Sequence, residues 1–124
     1  MPCPLFEPRE VWTDWTGPSR VPLGEPYRGR CAATGAPPET ATQMTLCNFG
    51  YARGRCAVFP DSEAADAFRF SMRGAELVWI VERAHAPVQH GTMDSRQVMV
   101  PAHTPMQGQA RAFLESYRKG KFER

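Results

Sequence analysis

The stretch FRFSMRGAELVWIVE, residues 68–82, decides the fold class. Phe68, Phe70 and Met72 alternate with Arg69 and Ser71, the period of two that a half-buried strand requires. Arg73-Gly74-Ala75-Glu76 offers a turn. Leu77-Val78-Trp79-Ile80-Val81-Glu82 follows, β-branched and aromatic, as in a central strand covered on both faces. The pair predicts an antiparallel hairpin, with a short third strand at residues 97–100 extending it to a three-stranded sheet.

Downstream, the chain carries a start and a stop for one helix. Thr104 is placed to N-cap, Pro105 suits the first helical position, and Gln107 completes a capping-box spacing. Met106, Ala110, Phe113, Leu114 and Tyr117 recur on one helical face, which predicts a buried stripe packed on the hairpin. Arg118 and Lys119 suit the negative end of the helix dipole, and Gly120 ends the helix.

Upstream of Pro60 the character changes. Residues 1–60 hold all four cysteines and nine of the twelve prolines, and show little periodicity beyond a short helix expected over residues 39–47. At 124 residues the chain reads as one α+β domain. Its irregular Cys/Pro-rich half, residues 1–60, would gather around a metal site. Its second half, residues 61–124, would form the hairpin and helix.

Cys3, Cys31, Cys47 and Cys56 are separated by 27, 15 and 8 residues, so no two form a C-x-x-C pair. Zinc holds each sulfur at about 2.3 Å from one point, and structural zinc sites usually meet that demand with closely spaced pairs. The irons of a [4Fe–4S] cubane stand at separate corners, so its thiolates approach from different sides and suit four scattered loops. The count matches a cluster with no borrowed ligand. Count alone also fits zinc, and disulfides or unligated thiols stay open as further readings.

Two of these cysteines end a similar run, YRGRC at 27–31 and YARGRC at 51–56. Arg28, Arg30, Arg53 and Arg55 would then flank an anionic cluster and offset its charge. Gly29, Gly35, Gly50 and Gly54 would let backbone N–H groups turn toward it. A solvated polar turn is the preferred reading of either copy taken alone, and only the repeat, each copy ending on a cysteine, brings the two readings level. Leu5, Phe6, Trp12, Trp15, Phe49, Tyr51 and Phe59 supply apolar surface for a dry shell or simply a core.

Size and the loop-rich cysteine half are similar to small four-cysteine iron–sulfur electron carriers, including high-potential iron–sulfur proteins. Those families begin with close cysteine pairs, which this chain lacks, so none of their residues maps onto it position by position.

The remaining features narrow the function. A net charge of +2, with 13 acidic residues balancing the arginines, argues against nucleic acid as the main partner. The N-terminus has prolines and acids where a secretory leader would be basic and then apolar, and the longest apolar run is far too short to span a bilayer. A cytoplasmic protein with no membrane partner is expected. His85 and His90, with Glu82 and Asp94, match no metal-binding spacing and read as residues of a solvated loop, and His103 reads as local to the helix start. No phosphate-binding loop, dinucleotide fingerprint, nucleophile elbow or haem-attachment motif occurs. These features predict an electron carrier or redox sensor serving a partner protein rather than an enzyme. The alternative is an interaction module stapled by zinc or by a redox-inert cluster, and a third reading, ranked below it, is a nucleic-acid accessory protein that uses the arginine turns.

Overall fold

The computed structural model describes residues 1–98 and 104–120. Its order is β1 (Phe6–Val11), β2 (Tyr27–Cys31), α1 (Thr40–Thr42), β3 (Ala67–Arg73), β4 (Glu76–Arg83), β5 (Ala86–Asp94), α2 (Ser95–Val98) and α3 (Pro105–Arg118). A single π-helical turn, Gln43–Cys47, continues α1. β1 and β2 make a two-stranded antiparallel sheet, and β3-β4-β5 make a three-stranded antiparallel one.

The hairpin forms as its alternation dictates. Phe68 pairs with Val81, Phe70 with Trp79 and Met72 with Leu77, which places all six on one face. Gly74, at φ 61°, takes the first position of the two-residue turn. The opposite face, bearing Val78 and Ile80, is only half-buried, so β4 is central in order but covered on one side. A third strand lies earlier in the chain than expected, and of the expected stretch 97–100 the last two positions lie outside the described residues. β5 follows β4 through the two-residue turn Ala84-His85, while Gln97 belongs to the short helix α2. Its mostly exposed, polar sequence hides it from an apolar-pattern reading.

α3 starts at Pro105, with the Thr104 hydroxyl accepting from the Gln107 amide at 3.2 Å. Its buried arc is wider than a single stripe. Gln109, Ala110, Ala112, Phe113, Leu114 and Ser116 are all buried, while Tyr117 is 46% exposed. Two neighbours cause this. Phe113 meets Phe70 of β3, at 5.9 Å between ring centroids, and Gln109 reaches the chain at Cys3 and Phe6 just before and within β1. One core cluster therefore draws on both halves of the chain, joining Phe6, Leu23 and Tyr27 to Phe70, Leu77 and Leu114.

The N-terminal half is more regular than its composition implies. YRGRC is strand β2, with Tyr27, Gly29 and Cys31 inward and Arg30 exposed. Only glycine fits at position 29, since a Cβ there would lie 2.1 Å from the Glu7 carbonyl oxygen. YARGRC is a turn, closed by Arg55 and Cys56 amides donating to the Ala52 carbonyl at 2.9 and 2.8 Å. The two runs share residues but not conformation.

Candidate metal centre

Cys3, Cys31, Cys47 and Cys56 come from four different segments and line one cavity of about 500 Å³. Cys3 sits in a turn closed by the Phe6 amide donating to its carbonyl at 3.0 Å. Cys31 ends β2, and its amide donates to Ala36 at 3.0 Å. Cys47 ends the π-helical turn, and its carbonyl accepts from the Cys3 amide at 3.1 Å, tying the first segment to the third. Cys56 ends the Ala52 turn. The rest of the lining is mainly apolar, with Leu5, Phe6, Leu46 and Phe59 among its walls. Trp12, Trp15 and Phe49, expected in that shell, instead pack on one another, and Tyr51 stacks on His85.

All four thiols are free. Burial pushes the Cys3 thiol up to about 11, and a backbone hydrogen bond from Leu5 opposes the rise. Burial pushes Cys47 up to about 12, with Cys3, Cys31 and Cys56 adding like-charge repulsion. Both therefore stay protonated at neutral pH in the free chain, and binding a metal group as thiolates would release those protons. Among the described residues, no group of three or more Cys, His, Asp or Glu side chains is arranged to hold a single metal ion. What the structure brings together is four free thiols around one mainly apolar cavity.

The arginines stand outside the cavity lining. Arg28 lies over the Trp12 ring at 3.8 Å and pairs with Asp14, and Arg30 pairs with Glu7 across the sheet. The two-residue period of β2 is the reason, because it turns Arg30 away from the face that carries Cys31. Arg53 meets one cavity wall. Its guanidinium lies over Phe59, a cavity wall, at 4.7 Å, and donates to Asp66 at 2.8 Å. Arg55 is exposed on the turn.

The residues that hold the cysteine segments in place are buried amides and one carboxylate. Asn48 accepts from the Tyr27 amide and donates to the Tyr27 carbonyl, both at 3.0 Å, while Gln43 accepts from Gly29 at 3.0 Å. Together they pair the free edge of β2 as a strand would. Gln109 donates to the carbonyls of Cys3 and Phe6 at 2.7 and 2.8 Å. Asp66 accepts from Arg53 and from the Ala84 amide. Burial alone would raise its pKa, but these donors and Arg83 hold it below the usual carboxylate range. Sequence reading misses all four. The one available signal is Gln109, a polar residue beside the apolar helical stripe.

Among the described residues the histidines build no second site. His85 occupies the β4–β5 turn, where both Ala84 and His85 have positive φ (51° and 66°), and stacks on Tyr51 at 4.1 Å. His90 is on β5 opposite Ile80 rather than in a loop. Glu82 is engaged by Arg69 and the Tyr51 hydroxyl, and Asp94 by Arg96. His103 lies outside the described residues. No described helix is long and apolar enough to cross a membrane. Comparison with protein-family models, curated proteins and solved structures finds no match to this chain.

Proposed function

We propose that this chain is a small iron–sulfur protein that holds one [4Fe–4S] cluster through Cys3, Cys31, Cys47 and Cys56. Its role is one-electron transfer or redox sensing for a partner protein. The observation supporting this reading is the gathering of four sequence-distant thiols around one cavity with mainly apolar walls. Such walls slow hydrolysis and oxygen attack on a cluster, and four thiolates complete its ligand set. Arg53, stacked on the cavity wall Phe59 and paired with Asp66, would offset part of the cluster charge, and Arg28, Arg30 and Arg55 would add to that from outside the lining.

Anaerobic purification followed by iron, sulfide and zinc analysis tests the reading. The expected product is brown, absorbs near 400 nm, and contains iron and sulfide in equal amounts. A colourless chain carrying one zinc would refute it and favour a structural staple. Given a cluster, reversible reduction within the physiological range separates a carrier or sensor from a redox-inert staple.

A further inference from the structure

The four cysteines meet solvent unequally. Cys3, Cys31 and Cys47 are only 7–8% exposed, whereas Cys56 is half-buried. The two residues after it, Ala57 and Val58, also line the cavity, and both are exposed, Val58 at 48%. The cavity thus opens along the 56–58 segment. Exposed Thr34, Ala36 and Pro37 also belong to its lining, and Glu39 is its one charged residue.

Anchoring follows the same division. Buried amides hold the segments of Cys3, Cys31 and Cys47. The Cys56 turn is held from its far end by Arg53, through Asp66 and the carbonyls of Glu63 and Ala65.

We propose that Cys56 marks the reactive corner of the site, the one from which iron is lost and regained in response to oxidants. The proposal rests on the iron–sulfur reading above. A one-electron oxidant reaching the mouth takes one electron from [4Fe–4S]2+. One Fe2+ then leaves, and [3Fe–4S]+ stays on Cys3, Cys31 and Cys47. The bonds broken are those from that iron to the Cys56 sulfur and to three sulfides, the sulfides stay behind, and the freed thiolate takes a proton from water. Added Fe2+ and an electron reverse the step. Glu39 alone is charged among the lining residues, so the mouth disfavours anionic oxidants relative to neutral ones, and the three sealed thiols hold the remainder in place.

Ferricyanide serves as the oxidant on the full chain, after iron and sulfide analysis has shown four of each. One equivalent should release one Fe2+ per chain and produce the EPR signal of an oxidised three-iron cluster, and Fe2+ with dithionite should erase that signal. Cys56→Ala should retain a three-iron cluster without added oxidant, while Cys3→Ala, Cys31→Ala and Cys47→Ala lose all iron. Release of all four irons together, or an equal yield of three-iron cluster from Cys31→Ala, would overturn the proposal while leaving the cluster reading intact. A chain without iron and sulfide at the first step overturns both.

Discussion

Gln109, in the middle of α3, donates to the carbonyl of Cys3 at 2.7 Å across 106 positions of sequence. Its Nε2 serves the Phe6 carbonyl as well, and the residue is fully buried. The side-chain oxygen has no hydrogen-bond partner among the described residues. Such an orphan acceptor costs about 1–3 kcal/mol, so the value of this glutamine lies in what its nitrogen holds.

Gln109→Leu should therefore destabilise the chain by about 2 kcal/mol, since two lost donors outweigh one removed orphan. Gln109→Glu should cost more, because a buried carboxylate facing two carbonyls has nothing to donate unless it is protonated. Urea unfolding of the metal-free variants checks this. A Leu variant as stable as the parent would show that the clamp contributes no net stability.

Two glycine substitutions should behave differently. Gly29→Ala drives a methyl into the Glu7 carbonyl and should prevent β1–β2 pairing, leaving little folded protein. Gly54→Ala meets nothing within 4 Å and pays only for its φ of 79°, about 1 kcal/mol. Soluble yield and thermal midpoints of the two variants decide the comparison.

Alkali should weaken the metal-free fold. In the unfolded chain the thiols of Cys3 and Cys47 ionise near 9, whereas in the fold they hold their protons to about 11 and about 12. Above pH 9 the unfolded state binds fewer protons, so stability falls from there toward pH 12 and is unaffected by these two groups below pH 9. Cys47→Ala should flatten that decline. Metal uptake should show the reverse slope, strengthening as pH rises, because the ligands must lose protons. Unfolding midpoints at pH 8 and 10.5 measure the first effect, and proton release during reconstitution measures the second.

Arginine replacements should rank by geometry. Arg53→Gln leaves the buried Asp66 with the Ala84 amide and, as a charged partner, the more distant Arg83, and should cost about 1–3 kcal/mol, reduced from a fully buried pair by the partial exposure of Arg53. Arg30→Gln breaks an exposed pair with Glu7 and should cost under about 1 kcal/mol. In cluster-loaded protein, removing positive charge lowers the midpoint potential, most for Arg53, which lies over a cavity wall, and less for Arg30 and Arg55. Stability and voltammetry of the three variants read both orders.

How far the sequence carried the structure depended on whether its signals were local. The hairpin at 68–82 and the helix from Pro105 were legible because strand period, turn and cap all lie within a few residues of one another. β2 was not. YRGRC has two arginines facing out, and what makes it a strand is a partner 16 to 25 positions earlier and two side-chain amides on a later segment. The four cysteines could be nominated from spacing, and they line one cavity. Which of them is exposed, and what anchors each, depends on contacts between segments that no short window contains. The likeness of YRGRC to YARGRC misled for the same reason, since the β1 pairing makes one copy extended and its absence leaves the other a turn.

The hold of Gln109 on Cys3 also has a meaning in time. A ribosome releases Cys3 first and must add 106 further residues before its clamp exists. At ordinary translation rates that interval is about 5–20 s. The Cys3 segment thus emerges early and waits without its anchor, so the cavity that Cys3 lines is completed only after Gln109 has been made.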